Sequence, residues 1–146
     1  WALCYYRVSN LFGCPESIEL LKAFHDEMVS RFGLSKTMVP FGFSRGGLYA
    51  VNYAAAYPED VEALYIDAPV LNIRSWPAGL GIGDGSPFEY KDCLDVYGLN
   101  ETSIKQFAEN PLDKVEKLAK AGIPVALVAG DADTTVPYAE NGKLFD

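Results

Sequence analysis

One histidine, three cysteines and 12 basic residues against 20 acidic ones leave the chain short of groups that several kinds of function require. A formal net charge of −8 with no basic run argues against polyanionic partners, so nucleic acid and anionic membrane surfaces are not expected. No apolar stretch approaches the roughly 20 residues that span a bilayer, so no membrane insertion is expected, and Trp1 onward lacks the charged start of a signal peptide. Cys4, Cys14 and Cys93 fall at no metal-ligand spacing and form no disulfide framework, so no metal site is indicated and the compartment stays open. Gly79, Gly81, Gly83 and Gly85 alternate like a phosphate cradle, yet neither G-x-G-x-x-G nor G-x-x-x-x-G-K-[ST] fits them. They read as a flexible loop, and no nucleotide or flavin cofactor is called for.

What the 146 residues do have is apolar content, at 49%, enough for a substantial core in one domain or part of one. Ala2 to Ser9 is rich in strand formers and reads as a buried strand without a leading turn, as if the sequence began inside structure. Pro15 opens a helix whose apolar Ile18, Leu21, Phe24, Met28 and Phe32 recur at three or four, and Gly33 closes it. Met38 to Phe43 reads as a strand, although Pro40 removes a ladder donor inside it. An alanine-rich helix follows and ends before Pro58, and Val61 to Asp67 is the next strand. Residues 68–109 lose this regularity and look like an insertion, with a helical turn or two between Leu94 and Gln106. A helix from Pro111 to Ala121, capped by Gly122, leads to an apolar strand over Ile123 to Gly130. Alternating strands and helices imply an α/β fold with a mostly parallel sheet and flanking helices.

The chemistry concentrates at Gly42-Phe43-Ser44-Arg45-Gly46, a G-x-S-x-G motif lying between a strand and a helix. A serine nucleophile must stand clear of the sheet on a sharp turn, so the residues two before and two after it must lack bulk; Gly42 and Gly46 are expected to supply that space. Gly47 and Ala50 extend it, and the amide of Arg45 is placed to face a developing oxyanion. A helix-capping serine is the plainer alternative. Serine also needs an imidazole base, and the base a carboxylate. In a parallel sheet the carboxyl ends of the strands converge on one crevice, where Asp133, just after the last strand, can meet Ser44. A turn-forming aspartate before Val136-Pro137 is its alternative role, and Asp131 and Asp67 are lesser candidates. His25 sits mid-helix, on the order of 15 Å from the helix start at ~1.5 Å per residue, and reads as a solvated residue that cannot reach Ser44.

GFSRGG after one strand and GDADTTVP after a later one, in the order serine then acid, resemble the α/β-hydrolase superfamily over nearly the whole chain. DAPVLNIRSWPAGLG and NPLDKVEKLAKAGIPVALVAGDADTTVPYAEN further resemble a group of bacterial esterases close to the prolyl-oligopeptidase type. The resemblance implies that residues 1–146 form a single partial α/β-hydrolase domain, truncated at both ends, with residues 68–109 in the position of a lid. It implies Ser44 as nucleophile, Arg45 as an oxyanion-hole amide and Asp133 as acid. The missing base is expected beyond Asp146 and the second oxyanion donor before Trp1, so the 146 residues alone are expected to be nearly inert toward p-nitrophenyl acetate. The function implied is hydrolysis of carboxylic esters through an acyl-enzyme, on a small-molecule or carbohydrate ester. In the lid, Trp76 and Arg74 could frame such a substrate, since an indole offers a flat apolar platform beside polar hydrogen-bonders, and packing of Trp76 from the loop onto the core is the alternative reading. A serine peptidase and a non-catalytic binding module are the alternatives. Relatives of this type are often exported, which points toward a periplasmic or secreted location.

Overall fold

The computed structural model describes residues 2–8 and 10–145. Three strands, β1 (Phe41–Phe43), β2 (Leu64–Asp67) and β3 (Val125–Val128), form one all-parallel sheet in the order β1-β2-β3. Phe43 lies opposite Asp67 and Asp67 opposite Val128, so all three strands end along one edge. The helices are α1 (Pro15–Phe32), α2 (Gly46–Ala56), α3 (Pro87–Tyr97), α4 (Val115–Ala121) and the single turn α5 (Gly142–Phe145). The architecture is mixed α/β. Among the described residues no helix is long and apolar enough to cross a membrane.

Pleating sends alternate residues of a strand to opposite faces. Gly42, Leu64 and Ile66 turn inward to a core with Ile18 of α1, Val51 and Ala54 of α2 and Leu118 of α4. Phe41 and Phe43 point the other way and stay exposed, Phe41 stacked on Tyr65 at 5.0 Å between ring centroids. Pro40 costs nothing here. Met38 makes an isolated bridge to Val61, the regular ladder starts only at Phe41, and Pro40 contributes its carbonyl, which accepts the Tyr65 N–H at 3.0 Å.

A second core lies over the carboxyl edge of the sheet. Phe12, Leu48 of α2, Val70, Ile73, Cys93 of α3, Ile104 and Val136 bury one another there. Residues 68–109 therefore pack on the first turn of α2 through their own apolar contacts. Their helix, α3, starts at Pro87, before the expected helical stretch from Leu94, with proline in the first turn and Gly98 closing it at φ 62°, and a 3-10 turn at Ser103–Gln106 falls within that stretch as expected. The alternating glycines are packed tightly. A Cβ on Gly81 would meet a Glu140 oxygen at 1.7 Å, and one on Gly83 would meet Pro137 at 2.9 Å. The loop expected to be flexible is thus moulded onto residues 134–140.

Two other expectations fail. Residues 2–8 form no strand, and Ser9 lies outside the described residues. The β propensity of the segment finds no ladder, so Leu3 and Tyr5 are exposed while Tyr6 stacks on Phe24 of α1. His25 is also not solvated. It is 7% exposed, packed edge-on to Tyr53, with Nδ1 3.4 Å from an Asp60 oxygen, and neither ring nitrogen makes a hydrogen bond. Burial beside a carboxylate that already accepts the Tyr53 hydroxyl at 2.8 Å explains the location, because α1 packs on α2 along this side. An apolar residue of similar bulk loses no hydrogen bond at this site. His25→Leu is therefore expected to keep the midpoint of urea unfolding or raise it by up to about 1 kcal/mol of stability; a loss above 2 kcal/mol would show that the ring is paired.

Candidate functional site

The turn joining β1 to α2 is bent sharply. Ser44 takes φ 51°, a left-handed conformation that costs a non-glycine residue roughly 1–2 kcal/mol. The surrounding hydrogen bonds hold it there: the Ser44 N–H donates to Asp67 O at 2.9 Å, and the Ser44 carbonyl accepts from Gly47 N and from Val70 N, each at 2.9 Å. Close packing explains the flanking glycines in part. A Cβ on Gly42 would lie 2.7 Å from the Gly46 carbonyl oxygen, and one on Gly47 would lie 2.6 Å from Pro69. Gly46, expected to be crowded, has open space at its own Cβ position, because it is its carbonyl that presses on Gly42. The glycines the bend needs are Gly42 and Gly47.

At the tip of this turn the polar groups are unclaimed. α2 begins without a side-chain cap, and the Ser44 hydroxyl has no hydrogen-bond partner among the described residues, so the capping role is not what Ser44 performs. The Arg45 N–H donates to no backbone acceptor among them either. The Arg45 side chain turns aside, pairing with Glu89 of α3 at 3.0 Å and lying over the Phe12 ring at 5.9 Å. It thus ties α3 to the turn, while the backbone amide donates to no acceptor among the described residues.

No family model and no curated protein matches the chain.

β1 and β3 flank β2, which places their ends roughly 10 Å apart on the same edge. Ser44 follows β1 directly, and Asp133 stands five residues past β3, half-buried. Asp133 Oδ1 accepts the N–H groups of Thr135 and Val136, each at 2.9 Å. That is the turn-forming role weighed as the alternative, and it fixes the carboxylate through one oxygen while Oδ2 takes part in neither bond. Asp131 is exposed, and Asp67 sits at the end of β2 with its carbonyl engaged by Ser44. His25 lies against Tyr53 in the second half of α2 and against Asp60 just past that helix, and Tyr53 is nine residues, about 13 Å at 1.5 Å per residue, along the chain from Ser44. The described residues bring the serine and the acid to one edge without an imidazole between them.

Trp76 and Arg74 part company. The indole, half-buried, packs near Phe12 at 6.3 Å between ring centroids as part of the second core. Arg74 lines a surface pocket of about 440 Å³ with Asn72, Ser75, Gly81, Lys105 and Glu140. Behind it runs a strap, residues 70–75, held by two buried asparagines that sequence reasoning missed. Asn141 Oδ1 accepts the Leu71 N–H and Asn110 Oδ1 the Ile73 N–H, both at 2.9 Å. Glu140 adds a third hold, accepting the Ser75 hydroxyl and the Ile82 N–H at 2.7 Å each. Asn110 had a local signal: with Asp113 it forms a capping box before an apolar helix. Asn141 and Glu140 reach these partners across 58 or more residues and leave no local trace.

Proposed function

We propose that the chain carries the nucleophile and acid of a serine hydrolase of the α/β-hydrolase type, cleaving carboxylic esters through an acyl-enzyme. The observation that carries this reading is Ser44 held at φ 51° between a strand and a helix, its hydroxyl and the next amide both unclaimed. Strain of this kind persists where surrounding structure over-determines it, and sites of chemistry are where it concentrates. In the proposed reaction Ser44 Oγ attacks the ester carbonyl as its proton passes to a base. The Arg45 N–H stabilises the oxyanion, the alcohol leaves with that proton, and water then cleaves the acyl-serine. Asp133 Oδ2 would hold the base in its working tautomer. Residues 68–109, tied to the turn by Arg45 and Glu89, would act as the lid.

The reading requires an imidazole that these residues do not bring to Ser44. That same observation favours a second reading, a hydrolase-like fold kept for binding alone. A fluorophosphonate probe separates the two. Applied to the whole gene product, it is expected to modify Ser44, found by peptide mass spectrometry, and Asp133→Asn is expected to slow labelling by on the order of 10⁴-fold. An unmodified Ser44 in the folded whole gene product would establish the binding module.

A further inference from the structure

We propose that the pocket beside the strap is the subsite for a single carboxylate on the substrate, so that the ester cleaved belongs to a carboxylate-bearing molecule such as an acylated uronic acid. The proposal rests on the hydrolase reading for the word substrate, and on the pocket alone for the ligand chemistry. The chain is acidic overall, with net charge −8, yet this pocket collects two cations, Arg74 and Lys105. Neither is paired with a carboxylate among the described residues.

The guanidinium of Arg74 is oriented, because its Nε donates to Asn72 Oδ1 at 3.3 Å, leaving the forked end for a planar acceptor. Glu140 also lines the pocket, and both its oxygens already accept protein donors, from Ser75 and Ile82. Two cations and that fixed carboxylate leave one positive charge. One monoanion balances it, whereas a phosphate dianion would leave an excess negative charge in the pocket. A volume of about 440 Å³ admits a single sugar ring. The pocket neighbours the proposed nucleophile along the strap without including it: Val70 donates to the Ser44 backbone carbonyl at 2.9 Å, and Asn72 of the pocket wall is two residues further, within about 7 Å of Val70 along the chain, so a substrate would have to reach across the strap from Ser44. Gly81 completes the wall, since any side chain there would collide with Glu140.

Isothermal titration of the protein with sodium glucuronate, glucose and inorganic phosphate tests the assignment. Glucuronate is expected to bind at least tenfold more tightly than either of the others, and Arg74→Gln to weaken it at least tenfold. Lys105 is exposed, so Lys105→Glu tests the pocket without endangering the fold and is expected to abolish the preference for glucuronate over glucose. Equal binding of glucose, tighter binding of phosphate, or a preference that survives Lys105→Glu would overturn the proposal. The two readings fail separately. Labelled Ser44 without selectivity for glucuronate removes the pocket assignment alone, whereas selective binding with unlabelled Ser44 removes the substrate role and the hydrolase reading together.

Discussion

Ser44→Ala is expected to lower ester turnover by the whole gene product by on the order of 10⁶-fold, the loss seen when a triad nucleophile is removed. The size follows from what the substitution deletes. The Ser44 hydroxyl takes part in no hydrogen bond among the described residues, so its removal leaves folding unaffected and strips only the attacking atom. Ser44→Gly makes the companion test. Alanine keeps a Cβ at φ 51° and so keeps the left-handed penalty, about 1–2 kcal/mol, whereas glycine removes it at an entropic cost of about 0.5–1 kcal/mol. The glycine variant should therefore be equally inactive yet more stable than the alanine variant by about 0.5–1 kcal/mol, read as a melting temperature about 2–4 °C higher. Turnover within tenfold of the unsubstituted protein in Ser44→Ala, or an alanine variant more stable than the glycine one, would refute the strained-nucleophile account.

What could be read from sequence divides by the range of the forces involved. The turn at Ser44, the helix closed by Gly33 and the strand segments themselves are set by neighbours within a few residues, through glycine freedom, proline placement and apolar period, and the alternation of strands with helices then implies that the strands pair in parallel. Pro40 looked discordant only because the strand was drawn too long; the bridge at Met38 and the ladder from Phe41 leave it between them. The misreadings share one cause, since burial is decided by distant partners. His25 has helical neighbours of ordinary polarity, and its contact with Asp60 comes from across the packing of α1 on α2. Residues 2–8 have the composition of a strand but lack a paired edge. The alternating glycines carry the local signature of freedom, and Gly79 and Gly85 use it at φ 62° and 66°, whereas Glu140 and Pro137, more than 50 residues on, decide that Gly81 and Gly83 are contact points. The pocket is hidden in sequence for the same reason, because Arg74, Lys105 and Glu140 belong to three separate segments.

The strap that links Ser44 to this pocket makes Asn110 the residue whose loss should cost the fold most for one side chain. Asn110 is fully buried, accepts the Ile73 N–H, and donates to the Phe107 carbonyl and to Asp113 Oδ2, each at 3.2 Å. Truncation to alanine strands the N–H of Ile73, itself fully buried, at about 1–3 kcal/mol, and removes half of the capping box at about 1 kcal/mol more. Asn110→Ala is therefore expected to lose about 3 kcal/mol, a large share of the 5–15 kcal/mol typical of a domain, and to melt about 10 °C lower. Asn72→Ala supplies the comparison. Its Oδ1 accepts from Arg74 at the half-buried rim, where water can replace it, so a loss below about 1 kcal/mol is expected. Because the strap carries Val70 against the Ser44 carbonyl, the damage in Asn110→Ala should also reach the turn, and hydrogen exchange at the Val70 and Ile73 amides should quicken together. Equal melting temperatures for the two variants, or faster exchange at Ile73 alone, would show that the strap and the turn are held independently.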